Sequence, residues 1–179
     1  MLSEEELNRI CLYQPYRDGW ILGFDPYQHE IDNYYGKLIE SLTQNQLFET
    51  NYLKYNSGNY LEFICYPKIN GNIYIGNAII LCVSLFAPIA AYGQIDIHKE
   101  DKFFGWNGLF KPELTRIIND TELFKIEKEI IILISKQKLT LLDPLFVSKL
   151  LPEQIYNDIK DENHNFGNQY LHGIFQKFD

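Results

Sequence analysis

Charged side chains disappear between Ile69 and Ile95, and the centre of that run reads NIYIGNAIILCVSLFAPIAAYGQ. A helical membrane span needs about 20 mostly apolar residues, and this run is long enough. Its punctuation points to β-structure. Gly71, Gly76, Gly93 and Pro88 break it, and Asn72, Asn77, Ser84 and Gln94 sit in or beside it. Asn70-Gly71 is a hairpin-turn pair, because both residues accept positive φ. The stretch 78–86 is rich in Ile, Leu, Val and Phe and has strand length. After Pro88, Ile95 and Ile97 alternate with Gln94, Asp96 and His98, the period of a half-buried strand. The flanks carry mixed charges and no one-sided excess of Lys or Arg. The run therefore predicts the buried centre of a sheet.

Helical periodicity brackets this block. Ser3 and Glu6 form a capping box that opens a short helix. Asp25, Pro26 and Gln28 predict the start of a longer one, with Tyr27, Ile31, Tyr34, Tyr35, Leu38, Ile39 and Leu42 as its apolar stripe and an end within 45–49. Between these helices Trp20, Ile21 and Leu22 form a short strand or pin a loop to the core. Strands are expected at 52–55 and 60–66, turning at Asn56-Ser57-Gly58-Asn59. The segment 102–112, KFFGWNGLFKP, reads as an aromatic loop. A helix from about Asn119 would bury Leu123, Ile126, Ile130, Leu133 and Ile134, although the β-branched run 130–134 also suits a strand. Asp143-Pro144 and Leu151-Pro152-Glu153 open two short helices. Residues 160–169 read as a loop, and 170–178 as an edge strand or a docked aromatic tail. Short turns between successive strands favour an antiparallel meander. The expectation is a single α+β domain over residues 1–179, with an antiparallel sheet of about four to five strands and helices mainly on one face.

Composition narrows the function classes. The chain has 179 residues, 46% of them hydrophobic, enough for a real core. Its net charge of −8 argues against a nucleic-acid partner, whose phosphates require Lys and Arg. The same charge suits a basic protein partner, and it also simply keeps a protein in solution. Cys11, Cys65 and Cys82 are odd in number and lack CxxC spacing, which fits free thiols in a reducing cytoplasm. The opening MLSEEELNRI lacks the basic and apolar regions of a signal peptide.

Candidate chemistry is sparse. Asp96, His98 and Glu100 project from one strand face and could hold a divalent metal or act as an acid–base pair, with Tyr92 as a further candidate; the alternation equally describes a solvated face. His29 and Asp32 lie one helical turn apart without further partners, and His164 and His172 have no fixed spacing to either pair. No nucleophile elbow, dinucleotide fingerprint or Walker pattern occurs. The arginines are Arg9, Arg17 and Arg116, few for bidentate anion binding. Phe103, Phe104, Trp106 and Phe110 crowd a glycine-punctuated stretch beside Glu100 and Asp101. Exposed, they would anchor an interface; folded back, they would plug the core.

The Tyr-rich helix, the strands in SLFAPIAAYGQIDIHKE, the Trp-bearing loop and the Leu-Pro breaks of the C-terminal region together resemble the small acidic α+β immunity proteins that bacteria make against polymorphic or contact-delivered toxins. The resemblance covers roughly residues 25–159 and rests on layout, size and charge, without a diagnostic motif. It implies a cytoplasmic, non-enzymatic binder, with no cofactor and no metal, that blocks a cognate toxin, often a basic nuclease. The candidate partner-binding residues are Asp96, His98, Glu100, Asp101, Phe103, Phe104 and Trp106. Two alternatives stay open: a small-ligand or metal-dependent enzyme using Asp96, His98 and Glu100, and a homo-oligomeric structural protein.

Overall fold

The computed structural model describes residues 2–23, 26–53, 59–69, 71–101, 103–106, 108–161 and 167–176. Asp25, the Asn56-Ser57-Gly58 turn, Asn70, Lys102, His164 and Phe178, all invoked above, lie outside the described residues.

Helix α1 (Glu4–Cys11) starts where its capping box places it. Ser3 Oγ accepts from the Glu6 amide at 3.2 Å, and the Glu6 carboxylate accepts from the Ser3 amide at 2.8 Å. Helix α2 (Gln28–Thr43) follows. Glu30, rather than Gln28, reaches back to the chain entering this helix, accepting from the Tyr27 amide at 2.8 Å. Ile31, Tyr35, Leu38 and Leu42 form its buried face, while Tyr27 is left outside. Before α2, Trp20 makes no strand; its indole donates to the Leu85 carbonyl at 2.8 Å and pins the loop.

The sheet runs β1 (Phe48–Leu53), β2 (Tyr60–Pro67), β3 (Ile73–Ser84), β4 (Ile89–Glu100) and β5 (Phe103–Trp106), in that spatial order and antiparallel throughout. The uncharged run is thus the β3–β4 hairpin. No described helix is long and apolar enough to cross a membrane. Three details differ from expectation. β1 begins earlier, at Phe48, where the helix was expected to be fading. The segment read as an aromatic loop contains β5. A sixth strand, β6 (Thr140–Leu141), pairs parallel with β4 at Ile89 and Ala90, which a two-residue strand gives no periodicity to announce.

Helix α3 (Phe124–Lys136) buries Ile126, Ile130, Leu133 and Ile134, so helical spacing prevails over the β-branched run. A 3-10 turn, Thr121–Leu123, leads into it, capped by Asp120 rather than Asn119. Helices α4 (Pro144–Val147) and α5 (Glu153–Ile159) start at the Asp143-Pro144 and Pro152-Glu153 signals. Instead of an edge strand, the chain then forms α6 (Tyr170–Ile174), and Phe175 behind it is fully buried.

Strand alternation assigns the cover on each face. Tyr92 and Gln94 share one face of β4, called the front; Gly93, Ile95 and Ile97 share the back. Tyr92 donates to Glu127 of α3 at 2.8 Å, so α3 lies on the front. The Phe110 ring sits against Gly93 on the back, and Phe175 meets Tyr60 edge-on at 5.5 Å, also on the back. Cover is therefore not confined to one face. The fold is α+β, with the central strands buried on both sides.

Candidate functional site

The front cover stops partway along the β3–β4 hairpin. The Gln94 side-chain carbonyl accepts from the Asn119 and Asp120 amides at 2.8 and 3.0 Å. The Asn77 amide donates to Asp120 at 2.8 Å. These bonds fix the 3-10 turn before α3 at the level of Asn77 and Gln94. Beyond it the strands continue and nothing described lies over them. Register sets the next rows: Asn77 with Asp96; Ile75, His98 and Gly105; then Ile73, Glu100 and Phe103. Cross-strand neighbours share a face, so all these side chains point to the front.

On this open end Ile73, Ile75 and Phe103 are 63, 72 and 57% exposed. Single exposed apolar residues need no explanation, but three on one face of one sheet end do. The Phe103 ring lies back across Gly105, where an added Cβ would come within 2.9 Å of it. It meets the His98 ring edge-on at 5.6 Å. His98 Nε2 and Glu100 Oε1 are 2.8 Å apart, both in contact with solvent. Asp101 follows at a positive φ of 34°, which Asp tolerates, and donates its amide to the Asn72 carbonyl at 3.1 Å. Asp96, Glu100 and Asp101 are exposed, and Glu100 stands between Ile73 and Phe103.

Phe104 and Trp106 alternate to the back, so the structure divides the sequence-derived set between two surfaces. Asp96, His98, Glu100 and Phe103 come together on the front. Phe104 and Trp106 are half-buried beside Tyr66, at centroid separations of 5.8 Å (Tyr66–Phe104) and 6.1 Å (Phe104–Trp106). Phe110, from the same stretch, is buried. Ile73 and Ile75 went unnoticed because an uncharged run reads as core. In the fold, β3 extends past the end of β2, leaving its first residues uncovered.

The back cluster carries an ion pair. Lys99 Nζ lies 2.8 Å from Glu49 Oε2 and 5.2 Å above the Tyr66 ring. Burial pushes the Glu49 carboxyl up, but hydrogen bonds from Lys99 and Tyr66 outweigh it and hold the pKa below the usual 4.5. The hydrogen bond to Glu49 lifts Lys99 above 10.5. A depressed carboxylate stabilises above its unfolded pKa and loses that contribution as pH falls; a raised amine stabilises below its unfolded pKa and loses it as pH rises. The thermal midpoint difference between wild type and Lys99→Met should therefore be level through the neutral range. It should shrink below about pH 4.5 and above about pH 10.5, with a modest size befitting a part-exposed pair. A pH scan of both proteins checks this.

Among the described residues no group of three His, Cys, Asp or Glu side chains is placed to hold a metal ion. His29 stacks on Tyr27, and Asp32 accepts from Gln28 at 2.7 Å. The three cysteines are buried and none is in a disulfide, and burial pushes the Cys65 thiol up to about 12. Comparison with protein-family models, curated proteins and solved structures gave no match.

Proposed function

We propose that this chain is a non-enzymatic binding protein that neutralises a basic protein partner by covering it, as bacterial immunity proteins cover their toxins. The observation that carries this reading is the open front end of the β3–β4–β5 sheet. Ile73 and Ile75 of β3 and Phe103 of β5 stand exposed on one face there, with His98 and Glu100 of β4 between them and Asp96 and Asp101 beside them. Large exposed apolar side chains set among charged and polar ones are the make-up of a protein interface. Carboxylates at the rim speed encounter with a basic partner and reject acidic ones. Buried cysteines outside disulfides suit work in a reducing cytoplasm.

Affinity capture from the native host at physiological salt tests the proposal. The expected result is one stoichiometric basic protein that arrests growth when expressed alone and not when co-expressed with this chain. Ile75→Asp should weaken that complex by about 30-fold or more, the loss of a central hot spot of about 2 kcal/mol. Its folding stability should stay within about 0.5 kcal/mol of wild type, because the side chain is mostly in solvent. A captured protein that binds Ile75→Asp equally well, or that is harmless alone, counts against the reading.

A further inference from the structure

The open end has an edge as well as a face. β2 pairs with β3 only as far as Cys65 opposite Ile79, and β3 continues for six more residues to Ile73 along β4. Two residues join β4 to β5, so the closing pair Glu100–Phe103 is hydrogen-bonded, and so is His98–Gly105. His98 and Glu100 thus spend their backbone groups on β5. Their β3 neighbours Ile75 and Ile73 must then point their N–H and C=O groups away from β4, into the column that β2 has left.

Two contacts agree with this alternation. The Asn77 carbonyl, next in the same series, accepts from the Tyr74 hydroxyl at 2.8 Å on that side. The Asp101 amide reaches Asn72, of the opposite parity. No hydrogen bond across this edge engages the backbone of Ile73 or Ile75 among the described residues.

We infer that the β3 edge at Ile73–Ile75 receives an extended, basic segment of the partner as an added strand, continuing the line of β2. This rests on the reading of the open sheet end as the binding surface. Added strands draw affinity from main-chain hydrogen bonds and specificity from alternate side chains. Here one set of side chains would lie beside Ile73 and Ile75 on the front. Charge selects the occupant. Asp120 and Glu122 flank the edge closely enough to act on Tyr74, Asp101 stands at its far end, and the nearby Lys99 is taken by Glu49. A second copy pairing edge to edge would bring these carboxylates against their own images, so the segment belongs to a different, cationic chain.

The test uses an end-blocked octapeptide alternating lysine and valine, with glutamate replacing lysine in the control. The expected result is that the lysine peptide binds, more weakly as salt rises, and slows hydrogen exchange at the Ile73 and Ile75 amides by tenfold or more. The glutamate peptide should do neither. Ile75→Pro, which removes an edge N–H without touching the ladder to β4, should lower affinity at least tenfold relative to Ile75→Ala. Should Ile75→Pro fail to fold, the exchange measurement on wild type decides alone.

Unchanged exchange at both amides with saturating lysine peptide, or absence of binding, overturns the inference. So does equal binding of the glutamate peptide, or protection of the same amides by self-association without peptide. Were the captured host partner to lose affinity for Ile75→Asp while leaving these amides unprotected, the binding surface would stand and the added strand would fall. Were Ile75→Asp to bind that partner normally, both would fall.

Discussion

Replacing Gly93 with valine should destabilise the protein by about 3–5 kcal/mol, the range seen when a large buried aromatic side chain is lost from a core. Gly93 lies at the centre of β4, opposite Ile80. A Cβ built there would stand 2.3 Å from Phe110 Cγ and 2.6 and 2.7 Å from its Cδ atoms. The Phe110 ring is 4% exposed and occupies the space a side chain at position 93 would need. Neither can give way cheaply, because cores are close-packed and rotamers there are fixed. The ring must leave, carrying with it the chain that follows β5.

A double-mutant cycle separates this account from a general intolerance of the strand. Phe110→Ala alone should cost about 3–5 kcal/mol. Adding Gly93→Ala to it should cost little more, because the clash has gone. Gly93→Ala in the wild-type background should cost about 1–3 kcal/mol, so the two substitutions should couple strongly. Additive losses in urea unfolding would show that the ring and the glycine are independent.

Gln176→Leu should cost about 2–6 kcal/mol, because two buried carbonyls lose a donor at about 1–3 kcal/mol each. Gln176 is fully buried. Its side-chain amide donates to the Cys11 carbonyl at 2.8 Å and to the Gly173 carbonyl. Its backbone donates to Asn59 Oδ1 at 2.9 Å and accepts from the Asn59 amide at 3.2 Å; the Asn59 carbonyl in turn accepts from Leu85 at 2.9 Å. One polar knot thus joins the end of α1, the start of β2, the end of β3 and the chain after α6. The loss should register as faster hydrogen exchange in α1 and α6 together, since both hang on the same side chain. Exchange confined to α6 would mean that the knot does not transmit between the chain's two ends.

What the sequence disclosed depended on how many residues each signal spanned. The capping box at Ser3, the Asp143-Pro144 start and the stripe Leu123–Ile126–Ile130 are local patterns, and each element formed as expected. The uncharged run identified itself as sheet through Gly93, Pro88 and the Ile95/Ile97 alternation. Strand β6 could not be seen, because two residues carry no period. Nor could α6, whose five residues are held by burial of Tyr170, Leu171 and Phe175 rather than by helical propensity.

The candidate site was half legible. Asp96, His98 and Glu100 alternate in the sequence and do share a face. Phe103 and Phe104 are adjacent in the sequence and fall on opposite faces, which follows once KFFGW is seen to contain a strand. Ile73 and Ile75 belong to the site only because β3 outruns β2, and such a difference in strand lengths is a fact of pairing that no single segment records.

The most direct measurement is a titration of the captured host partner against three proteins: wild type, the front-face double variant Ile75→Asp/Phe103→Asp, and Leu145→Asp. Leu145 is 82% exposed on α4, away from the β3–β4–β5 end, and serves as an equally apolar surface control. Leu145→Asp should bind with near wild-type affinity and the front-face variant at least 100-fold more weakly, about 2.8 kcal/mol. All three should show the same unfolding midpoint within a few degrees. Full affinity in the front-face variant, or a loss confined to Leu145→Asp, would contradict the assignment of the binding surface.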